Sequence, residues 1–324
     1  MNSSVSVALC TYNGATYIAE QLRSILDQSL APTEIVVADD GSSDGTLEVV
    51  AAVLAEAGSA IPVRILRGES PLGVTRNFER AVEATTGEFV ALCDQDDVWH
   101  PDRLSVAVAE LEADPAILLW HGDARLVDER GDSLGFTLFE SLGIGDDEIA
   151  GINGDHPLET YVRRNLVTGA TTVFRRSLLD AALPFPASWV HDEWLGVIAA
   201  ATGRTRVSTR AVVDYRQHSS NEIGVVRPTI AVKVGRMLEP RADRYQKLAL
   251  RAQDLVERLE ALGVDPAAVA LARRKRDFEA KRSHYPANRV ARLGRILGSL
   301  DVEAYNDLSS QRRVDIVRDI VQPA

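Results

Sequence analysis

Short apolar runs alternate with amphipathic segments through about the first 120 residues of the chain. The runs at 5–10, 34–38, 63–66 and 89–93 are rich in Val, Ile, Leu and Ala and predict strands. The segments between them, such as 17–28, place apolar residues at helical spacing. Alternation of strand and helix at this rhythm is typical of a mostly parallel sheet flanked by helices. The pattern therefore predicts an α/β fold.

The later part of the chain has a different pattern. Residues 122–155 are rich in Gly and Asp and predict irregular backbone, whereas 204–215 predict two short strands. From about residue 226, Ala, Leu, Arg and Glu dominate, and prolines such as Pro286 divide the predicted helices. We therefore expect a first domain over 1–225 and a helical C-terminal region over 226–324.

Polar residues cluster directly after three of the predicted strands. The clusters are Thr11 to Asn13, Asp39 with Asp40, and Asp94 to Asp97. If the strands are parallel, all three clusters lie at one edge of the sheet, where open α/β sheets bind ligands. The turn and cap preferences of Asp, Asn, Ser and Gly explain each cluster separately. These preferences explain less well why a polar cluster follows each of three strands.

The third cluster brings three carboxylates, those of Asp94, Asp96 and Asp97, into four consecutive positions. They cannot all stay ionised side by side unless water, cations or hydrogen-bond donors offset their repulsion. Mg²⁺ and Mn²⁺ prefer oxygen ligands, and they commonly bridge carboxylates to substrate phosphates. A divalent-cation site is one interpretation, and a solvated acidic turn before a helix is the other.

Composition narrows the class of protein. With 47 acidic and 36 basic residues, the net charge is −11, which disfavours nucleic acid as a partner. Cys10 and Cys93 are the two cysteines, and we expect them to be reduced thiols that pack on nearby strands rather than bind metal. The N-terminus lacks the features of a signal peptide, and no apolar run reaches membrane-spanning length. These features predict a cytoplasmic protein.

Basic residues are concentrated between Arg273 and Arg295, where Asp277 and Glu279 are the opposing acids. One interpretation is a charged face on packed helices. The other is a basic surface that contacts anionic lipid headgroups or the diphosphate of an acceptor. The second would place the protein at the inner face of the plasma membrane. The sequence leaves both interpretations open.

Several of these segments together resemble one protein family. They are Val5-Ser-Val-Ala-Leu-Cys-Thr-Tyr-Asn-Gly14, Ile35-Val-Val-Ala-Asp-Asp-Gly-Ser-Ser-Asp-Gly-Thr46, Leu92-Cys-Asp-Gln-Asp-Asp-Val-Trp99, His191-Asp-Glu-Trp194 and Tyr215-Arg-Gln-His218. In this order they resemble the family 2 glycosyltransferases, and most of all the bacterial rhamnosyltransferase-like branch. The resemblance covers about residues 4 to 222.

The resemblance implies a GT-A type fold, with a nucleotide-sugar half at about 1–120 and an acceptor half at about 121–225. It also implies inverting, metal-assisted transfer of a sugar from a nucleoside-diphosphate donor. Among donors it favours dTDP-rhamnose, with UDP-hexoses next. The implied acceptor is a carbohydrate or lipid-linked carbohydrate in a growing surface polysaccharide or glycolipid. A homo-oligomer is compatible with this assignment.

The family's motifs assign roles to residues of this chain. The residues that the motifs assign to nucleotide-sugar binding are Thr11, Tyr12, Asn13, Asp39, Asp40, Arg76, Asp94 and Gln95. Asp96 would bind a divalent cation, Mn²⁺ or Mg²⁺, and His218 could complete its ligand shell. Asp192 matches the catalytic base, and Glu193 is the rival acid. The remaining candidates for acceptor or sugar contact are Asp97, Trp99, His191 and Trp194.

Two other functions are alternatives to sugar transfer. A non-catalytic sugar-nucleotide or glycan-binding protein of this fold would be expected to lack Asp96 or Asp192, and both are present. A nucleotidyltransferase would normally carry a Gly-rich basic loop after its first strand, where Thr11-Tyr-Asn-Gly14 has neither Lys nor Arg. The Gly-x-Gly-x-x-Gly pattern of dinucleotide enzymes and the Walker pattern are also absent from the sequence.

Overall fold

The computed structural model describes residues 3–218, 235 and 239–323. The chain divides into a first unit, Met1–Ile149 with Val167–Arg227, and a second unit, Ala150–Leu166 with Pro228–Ala324. The segment 150–166, which the sequence analysis places in the first domain, groups with the second unit. The start of the expected C-terminal region, at 226–234 and 236–238, lies outside the described residues.

Four neighbouring parallel strands form one side of the sheet in the first unit. They are β1 (Val5–Thr11), β2 (Glu34–Asp39), β3 (Val63–Arg67) and β4 (Phe89–Cys93), in the order β3-β2-β1-β4. Helices α1 (Ile18–Leu26), α2 (Thr46–Ala57) and α3 (Val74–Glu83) connect them. Every residue of β1 and β4 is buried, which explains why these strands read as continuous apolar runs. The predicted α/β fold class is confirmed.

The remaining elements up to residue 216 follow in chain order. They are β5 (Val98–Trp99), α4 (Arg103–Ala113), β6 (Ile117–Val127), β7 (Ser133–Thr137), α5 (Leu138–Leu142), α6 (Asp146–Asn153), α7 (Pro157–Arg163), β8 (Thr172–Arg175), α8 (Leu179–Ala182), α9 (His191–Thr202) and β9 (Arg204–Arg216). Strand β8 pairs antiparallel with both β4 and β6, and β9 runs parallel to β6. Within the described ranges the sheet has nine strands, ordered β3-β2-β1-β4-β8-β6-β9-β5 with β7 paired to β6.

Two predictions about this second half of the sheet are wrong. Residues 204–215 form one continuous strand, β9, rather than two short ones. The segment 122–155, expected to be irregular, contains the end of β6, the strand β7 and the helices α5 and α6. Its Gly and Asp residues serve local turns; Gly143, for example, ends α5 at a φ of 63°.

The two cysteines lie where the sequence analysis expects them. Cys10 is on β1 and Cys93 on the adjacent strand β4, where Cys93 is opposite Leu9. Both are buried and neither is in a disulfide. Burial raises the pKa of each thiol, so both remain protonated packing groups.

The second unit is built from helices. Besides α7, it contains α10 (Arg244–Leu262), α11 (Pro266–Ser283), α12 (Arg289–Gly298), α13 (Val302–Leu308) and α14 (Val314–Val321). The expected helical C-terminal region is therefore confirmed over the described part of the chain. None of the helices in that part is both long and apolar enough to cross a bilayer.

A buried ionic network holds the helices of the second unit together. The Arg282 guanidinium donates to Asp319 Oδ2 at 2.7 Å and to Glu279 Oε2 at 3.1 Å. All three side chains are at most 3% exposed. Tyr245 and Tyr305 each donate a hydroxyl hydrogen bond of 2.6 Å to the Asp319 carboxylate. Burial raises the pKa of Asp319, but the hydrogen bonds and charge of Arg282, together with the hydrogen bonds from Tyr245 and Tyr305, lower it by more, so this carboxylate is held ionised.

Replacing Arg282 with Ala is expected to destabilise the protein by about 3–5 kcal/mol, because it leaves buried carboxylates without their cation. Urea unfolding followed by far-UV circular dichroism measures this change. Arg274→Ala is the matched control, since Arg274 is 57% exposed in its ion pair with Asp307. Exposed pairs contribute about 0–1 kcal/mol. Equal shifts in the two variants would contradict the structural role of Arg282.

Candidate active site

Asp39 joins the ends of β1 and β2. Its Oδ1 accepts a hydrogen bond of 2.8 Å from the Thr11 hydroxyl, and the two residues are also register partners. The same carboxylate accepts hydrogen bonds from the backbone N–H of Ser42 at 2.9 Å and of Gly41 at 3.2 Å. Asp39 is 1% exposed and Thr11 is 2% exposed. Both side chains are therefore buried, and their hydrogen bonds hold the loop after β2 in place.

Asp40 connects that loop to the start of α3. Its carboxylate accepts hydrogen bonds from the N–H of Leu72 at 2.8 Å and of Gly73 at 2.9 Å. Gly73 has a φ of 85°, a left-handed conformation that favours glycine. Asp40 is only 4% exposed. Its carboxylate thus fixes the backbone that leads into Arg76.

Gln95 links the loop after β4 to the loop after β1. Its Oε1 accepts from the N–H of Tyr12 at 2.8 Å, and its Nε2 donates to the carbonyl of Tyr12 at 3.0 Å. A Cβ at Gly14 would lie 2.1 Å from Gln95 Oε1, so a larger residue there would displace this amide. The Tyr12 ring is 49% exposed at the loop surface.

Asn13 completes the connection between the loops after β1 and β2. Its N–H donates to Ser42 Oγ at 2.8 Å, and its Oδ1 accepts from the N–H of Ser43 at 2.9 Å. Asn13 has a φ of 48°, a conformation that Asn tolerates better than most residues. The three polar clusters predicted to share one edge of the sheet are therefore joined by direct hydrogen bonds.

Asp96 and His218 meet although they are far apart in the sequence. Asp96 Oδ2 lies 2.9 Å from His218 Nε2, and the two side chains are 14% and 8% exposed. The His218 ring stacks on Tyr17, with 4.8 Å between ring centroids. The imidazole is thus held in place beside the carboxylate. This pair offers one oxygen and one nitrogen, a donor set compatible with Mn²⁺.

Asp97 points inward rather than toward a ligand. Its Oδ1 accepts a hydrogen bond of 3.0 Å from the N–H of Arg216, while its Oδ2 has no partner among the described residues. The side chain is 1% exposed. Burial, together with the nearby carboxylates of Asp96 and Asp94, raises the pKa of Asp97 well above its usual range. The expected contact of Asp97 with acceptor or sugar is not supported by this orientation.

Arg216 is a site residue that the sequence analysis missed. Its guanidinium donates to the backbone carbonyl of Asp96 at 2.9 Å, to that of Glu129 at 3.0 Å and to the Glu20 carboxylate at 2.5 Å. It also lies 5.0 Å from the centroid of the Tyr17 ring and is 2% exposed overall. A buried cation therefore orders the loop that presents Asp96. The available signal was its position two residues before His218.

Asp192 lies in the first turn of α9. Its Oδ2 accepts a hydrogen bond of 2.8 Å from the N–H of Gly169, and its Oδ1 accepts one of 2.7 Å from the N–H of Glu193. The positive end of the helix dipole favours a negative charge at this position. A Cβ at Gly169 would lie 3.0 Å from His191 Nε2 and 3.6 Å from Asp192 Oδ2, so glycine allows this close approach. Asp192 and Glu193 are both partly exposed.

His191 does not orient the acid beside it. Its ring stacks on Phe78 with 3.9 Å between centroids, and the residue is 4% exposed. Neither ring nitrogen has a hydrogen-bond partner among the residues that the structure describes. Burial lowers the pKa of His191, although the charge of Asp192 partly opposes this. The side chain is a neutral packing group, and the expected contact with acceptor or sugar is not supported.

Two tryptophans predicted as sugar contacts belong to the core. Trp194 is fully buried and donates its indole N–H to the carbonyl of Ala182 at 2.7 Å. Trp99 is 3% exposed, and the Arg103 guanidinium lies 3.7 Å from the centroid of its ring. Both rings are therefore buried, and neither is accessible as a stacking surface. Aromatic residues in such segments pack in the core more often than they bind a sugar.

Arg76 lies in the first turn of α3, directly after the backbone that Asp40 holds. Its side chain is 48% exposed and pairs with Glu79 at 2.5 Å. One turn later, Arg80 donates to the carbonyl of Asp39 at 2.8 Å and was not predicted as a site residue. Arg76 is thus the more accessible cation of the two, and Arg80 supports the ends of the strands.

Acidic residues of separate loops lie within electrostatic reach of the Tyr215 hydroxyl. Burial raises the pKa of this hydroxyl, and the carboxylates of Asp97, Asp94, Asp96 and Asp192 raise it further. Burial likewise raises the pKa of Cys10, with contributions from Asp94 and Asp40. The described ranges contain no complete group of three acidic, His or Cys ligands for a metal ion.

A family model described as "Glycosyl transferase family 2" matches residues 6–179, which is more than half of the chain. The chain belongs to glycosyl transferase family 2. The matched range includes the loops after β1, β2 and β4 but ends before Asp192 and His218. The roles expected for Asp192 and His218 therefore depend on the site geometry and on the shorter sequence motifs.

One curated relative and two solved structures are similar to this chain. The dTDP-rhamnosyl transferase RfbG of Shigella flexneri is 27% identical over 236 residues, covering 67% of this chain and 73% of RfbG. The structure of S. aureus TarS 1-349 in complex with UDP-GlcNAc matches with a TM-score of 0.60 at 19% identity, covering 98% of this chain and 81% of TarS 1-349. The mannosyltransferase PcManGT from Pyrobaculum calidifontis, in complex with GDP-Man and Mn²⁺, matches with a TM-score of 0.53 at 20% identity, covering 99% of this chain and 85% of PcManGT.

The structural matches confirm the GT-A type fold that the sequence implied. At the sequence level, several curated relatives match at 25–26% identity, and this chain spans 59–66% of their length.

Proposed function

We propose that the protein transfers a sugar, with inversion, from a nucleoside-diphosphate donor to a hydroxyl group of a surface polysaccharide or glycolipid. Membership of glycosyl transferase family 2 supports the reaction class. The observation that carries the proposal is the contact between Asp96 and His218, with the Asp192 carboxylate within electrostatic reach of the same Tyr215 hydroxyl as Asp96. A donor-activating group and a base are both needed there.

The donor is proposed to bind at the joined loops of the nucleotide-sugar half, about residues 1–120. The exposed ring of Tyr12 would stack on the nucleobase, next to Asn13 and Gln95. Asp40 would bind the base edge through acceptor positions that its hydrogen bonds from Leu72 and Gly73 leave unused. The acceptor would enter from the half at about 121–225, which carries Asp192.

The Asp96–His218 pair is proposed to hold a divalent cation, with Mn²⁺ favoured over Mg²⁺ because one donor is an imidazole. When bound, the cation would offset the negative charge that develops on the departing diphosphate. The two protein donors leave further ligand positions for phosphate oxygens. PcManGT was crystallised with both GDP-Man and Mn²⁺, which is consistent with this assignment.

Asp192 is proposed as the base that removes the proton from the acceptor hydroxyl. Its hydrogen bond from the N–H of Gly169 fixes one carboxylate oxygen and stabilises the charged form. Asp192 lies directly after His191, where the family motif places the base, and its charge acts on the Tyr215 hydroxyl as those of Asp94 and Asp96 do. These observations support Asp192 as the base, with Glu193 as the rival acid.

The donor sugar is proposed to be rhamnose carried on dTDP, with UDP-hexoses as the next candidates. RfbG is a dTDP-rhamnosyl transferase, and its match to this chain extends over 67% of the residues. The location in the cytoplasm and a homo-oligomeric state both remain predictions.

A thermal-shift screen tests donor and cation together. We expect stabilisation by one nucleotide sugar in the presence of Mn²⁺, and much less with either alone. A ligand at 100-fold its Kd stabilises a protein by roughly 2.7 kcal/mol. His218→Ala should lose the Mn²⁺-dependent part, whereas Lys247→Ala, on the exposed surface of α10, should not. Failure of every sugar nucleotide to stabilise the protein with Mn²⁺ would overturn the proposal.

A further inference from the structure

Helix α12 exposes an apolar stripe on its outer side. Val290 is 80% exposed, Leu293 is 38% exposed and Leu297 is 61% exposed. Residues spaced by three and four positions lie on one face of a helix, so the three side chains form a continuous row. Single exposed apolar residues are ordinary, but a row of large ones is a feature of interaction surfaces.

The opposite side of α12 fixes the helix to the second unit. Arg292 and Ile296 are its buried residues, and both are fully covered. The Arg292 guanidinium donates to the carbonyls of Ile320 at 3.1 Å and Pro286 at 3.3 Å, and also to that of Gln322. The Asn288 side chain caps the first turn by accepting from the N–H of Val290 at 2.9 Å. The apolar stripe is therefore held outward by a well-anchored helix.

The charge of the chain segment that carries the stripe is opposite in sign to that of the whole protein. The net charge of the chain is −11, yet no acidic residue occurs between Glu279 and Asp301. The basic residues of this stretch divide into two groups: Arg282 and Arg292 are buried, whereas Lys281, Arg289 and Arg295 are exposed. The exposed cations flank an apolar row, as in helices that lie on anionic membranes.

We infer that this side of α12 docks on an anionic lipid surface. The lipid face consists of Val290, Leu293 and Leu297 with the flanking cations Arg289 and Arg295. With ten residues, α12 is too short to span a bilayer, so it would lie in the plane of the interface with the leucines toward the acyl chains. Cations near an anionic leaflet add an attraction that salt weakens.

A second copy of this chain fits the lipid face less well. A two-fold interface brings the same surface together from both subunits. It would place Arg289 and Arg295 against their own copies, with no acid in the stretch to offset them. Like charges opposed across an interface disfavour association. An anionic surface instead complements the cations and the apolar row together.

Vesicle flotation with the full-length chain tests the inference. We expect flotation with vesicles that mix phosphatidylglycerol and phosphatidylcholine, weak flotation with phosphatidylcholine alone, and release at high salt. The double variant Val290→Glu with Leu297→Glu should lower the partition coefficient at least about tenfold, and so should Arg289→Glu with Arg295→Glu. Leu250→Glu is the control, because Leu250 is a 55% exposed leucine on α10, outside the lipid face. Circular dichroism would establish that each variant is folded.

The inference goes beyond the proposed reaction, and the two can fail separately. Asp96→Asn should keep vesicle binding even where it removes turnover. Equal flotation with neutral and anionic vesicles, or unchanged flotation of both double variants, would overturn the lipid assignment. A change in oligomeric state by light scattering, without a change in flotation, would assign the face to a second copy instead.

Discussion

Asp96→Asn should reduce turnover by at least about a thousandfold and remove the Mn²⁺ dependence of donor binding, since Lewis-acid stabilisation of developing charge contributes several kcal/mol. The substitution removes a carboxylate charge that lies 2.9 Å from His218 Nε2, on a loop ordered by Arg216. An amide of the same shape preserves the packing but is a much weaker cation ligand. The measurement is release of nucleoside diphosphate at varied Mn²⁺ concentration. Chelation with EDTA should bring the unsubstituted enzyme down to the level of the variant.

Asp97→Asn is the matched control because it changes the neighbouring carboxylate in the same way. Asp97 is buried, and the pKa of its side chain is raised well above the usual range, so its protonated form already resembles an amide. Asn can still accept the hydrogen bond from the N–H of Arg216. We therefore expect Asp97→Asn to retain most of the activity. If Asp97→Asn lost activity and Asp96→Asn kept it, the cation would be assigned to the wrong acid.

The first half of the fold could be predicted because three of its four strands are buried almost throughout. The strands β1, β2 and β4 read as unbroken apolar runs, and helical spacing between them implies parallel pairing. Once those strands are parallel, the polar clusters at their ends must share one edge. Strand β9 was harder to predict, because the alternation of buried and partly exposed residues over 204–208 is interrupted by the exposed residues Thr209 and Arg210. Its polar positions looked like a break between two strands.

The site could be predicted only where its residues lie in compact segments of sequence. The partners of Arg216 are the carbonyl of Asp96, that of Glu129 and the Glu20 carboxylate, all distant from it along the chain. No spacing rule connects such groups, so a buried arginine of this kind is found only in the structure. The burial of Trp99 and Trp194 was not predicted for a different reason. The sequence identifies an aromatic residue near a site but not which way its ring points.

The basic residues between Arg273 and Arg295 fit both interpretations that the sequence left open. Some of them pack between helices, and others lie on the surface. Arg282 serves the packed interior, where it pairs with Glu279 and Asp319. Arg289 and Arg295 remain at the surface of α12. Composition alone cannot separate the two groups, because burial depends on the position of each residue around its helix. Separating the buried from the exposed cations defines the lipid face of α12, and its proposed partner, an anionic lipid surface, can be tested.

Asp192→Asn should lower turnover by about 10²–10⁴-fold while leaving donor binding unchanged, because general base catalysis contributes on this order. Asn can still accept the hydrogen bond from the N–H of Gly169, so the local structure should persist. Nucleoside-diphosphate release gives the turnover, and the thermal shift with donor and Mn²⁺ gives the binding. Glu193→Gln is the matched control at the adjacent position, and we expect it to keep at least about a tenth of the activity.

The two adjacent acids can be separated by experiment. Asp192 accepts a hydrogen bond from the N–H of Gly169 and lies within electrostatic reach of the Tyr215 hydroxyl, as Asp94 and Asp96 do. In the proposed inverting reaction the base acts on the side of the sugar opposite the leaving diphosphate, and Asp192 is assigned that role. Near-normal turnover of Asp192→Asn, with loss of turnover in Glu193→Gln, would move the base to Glu193. Loss of donor binding in Asp192→Asn would instead assign Asp192 to the donor pocket.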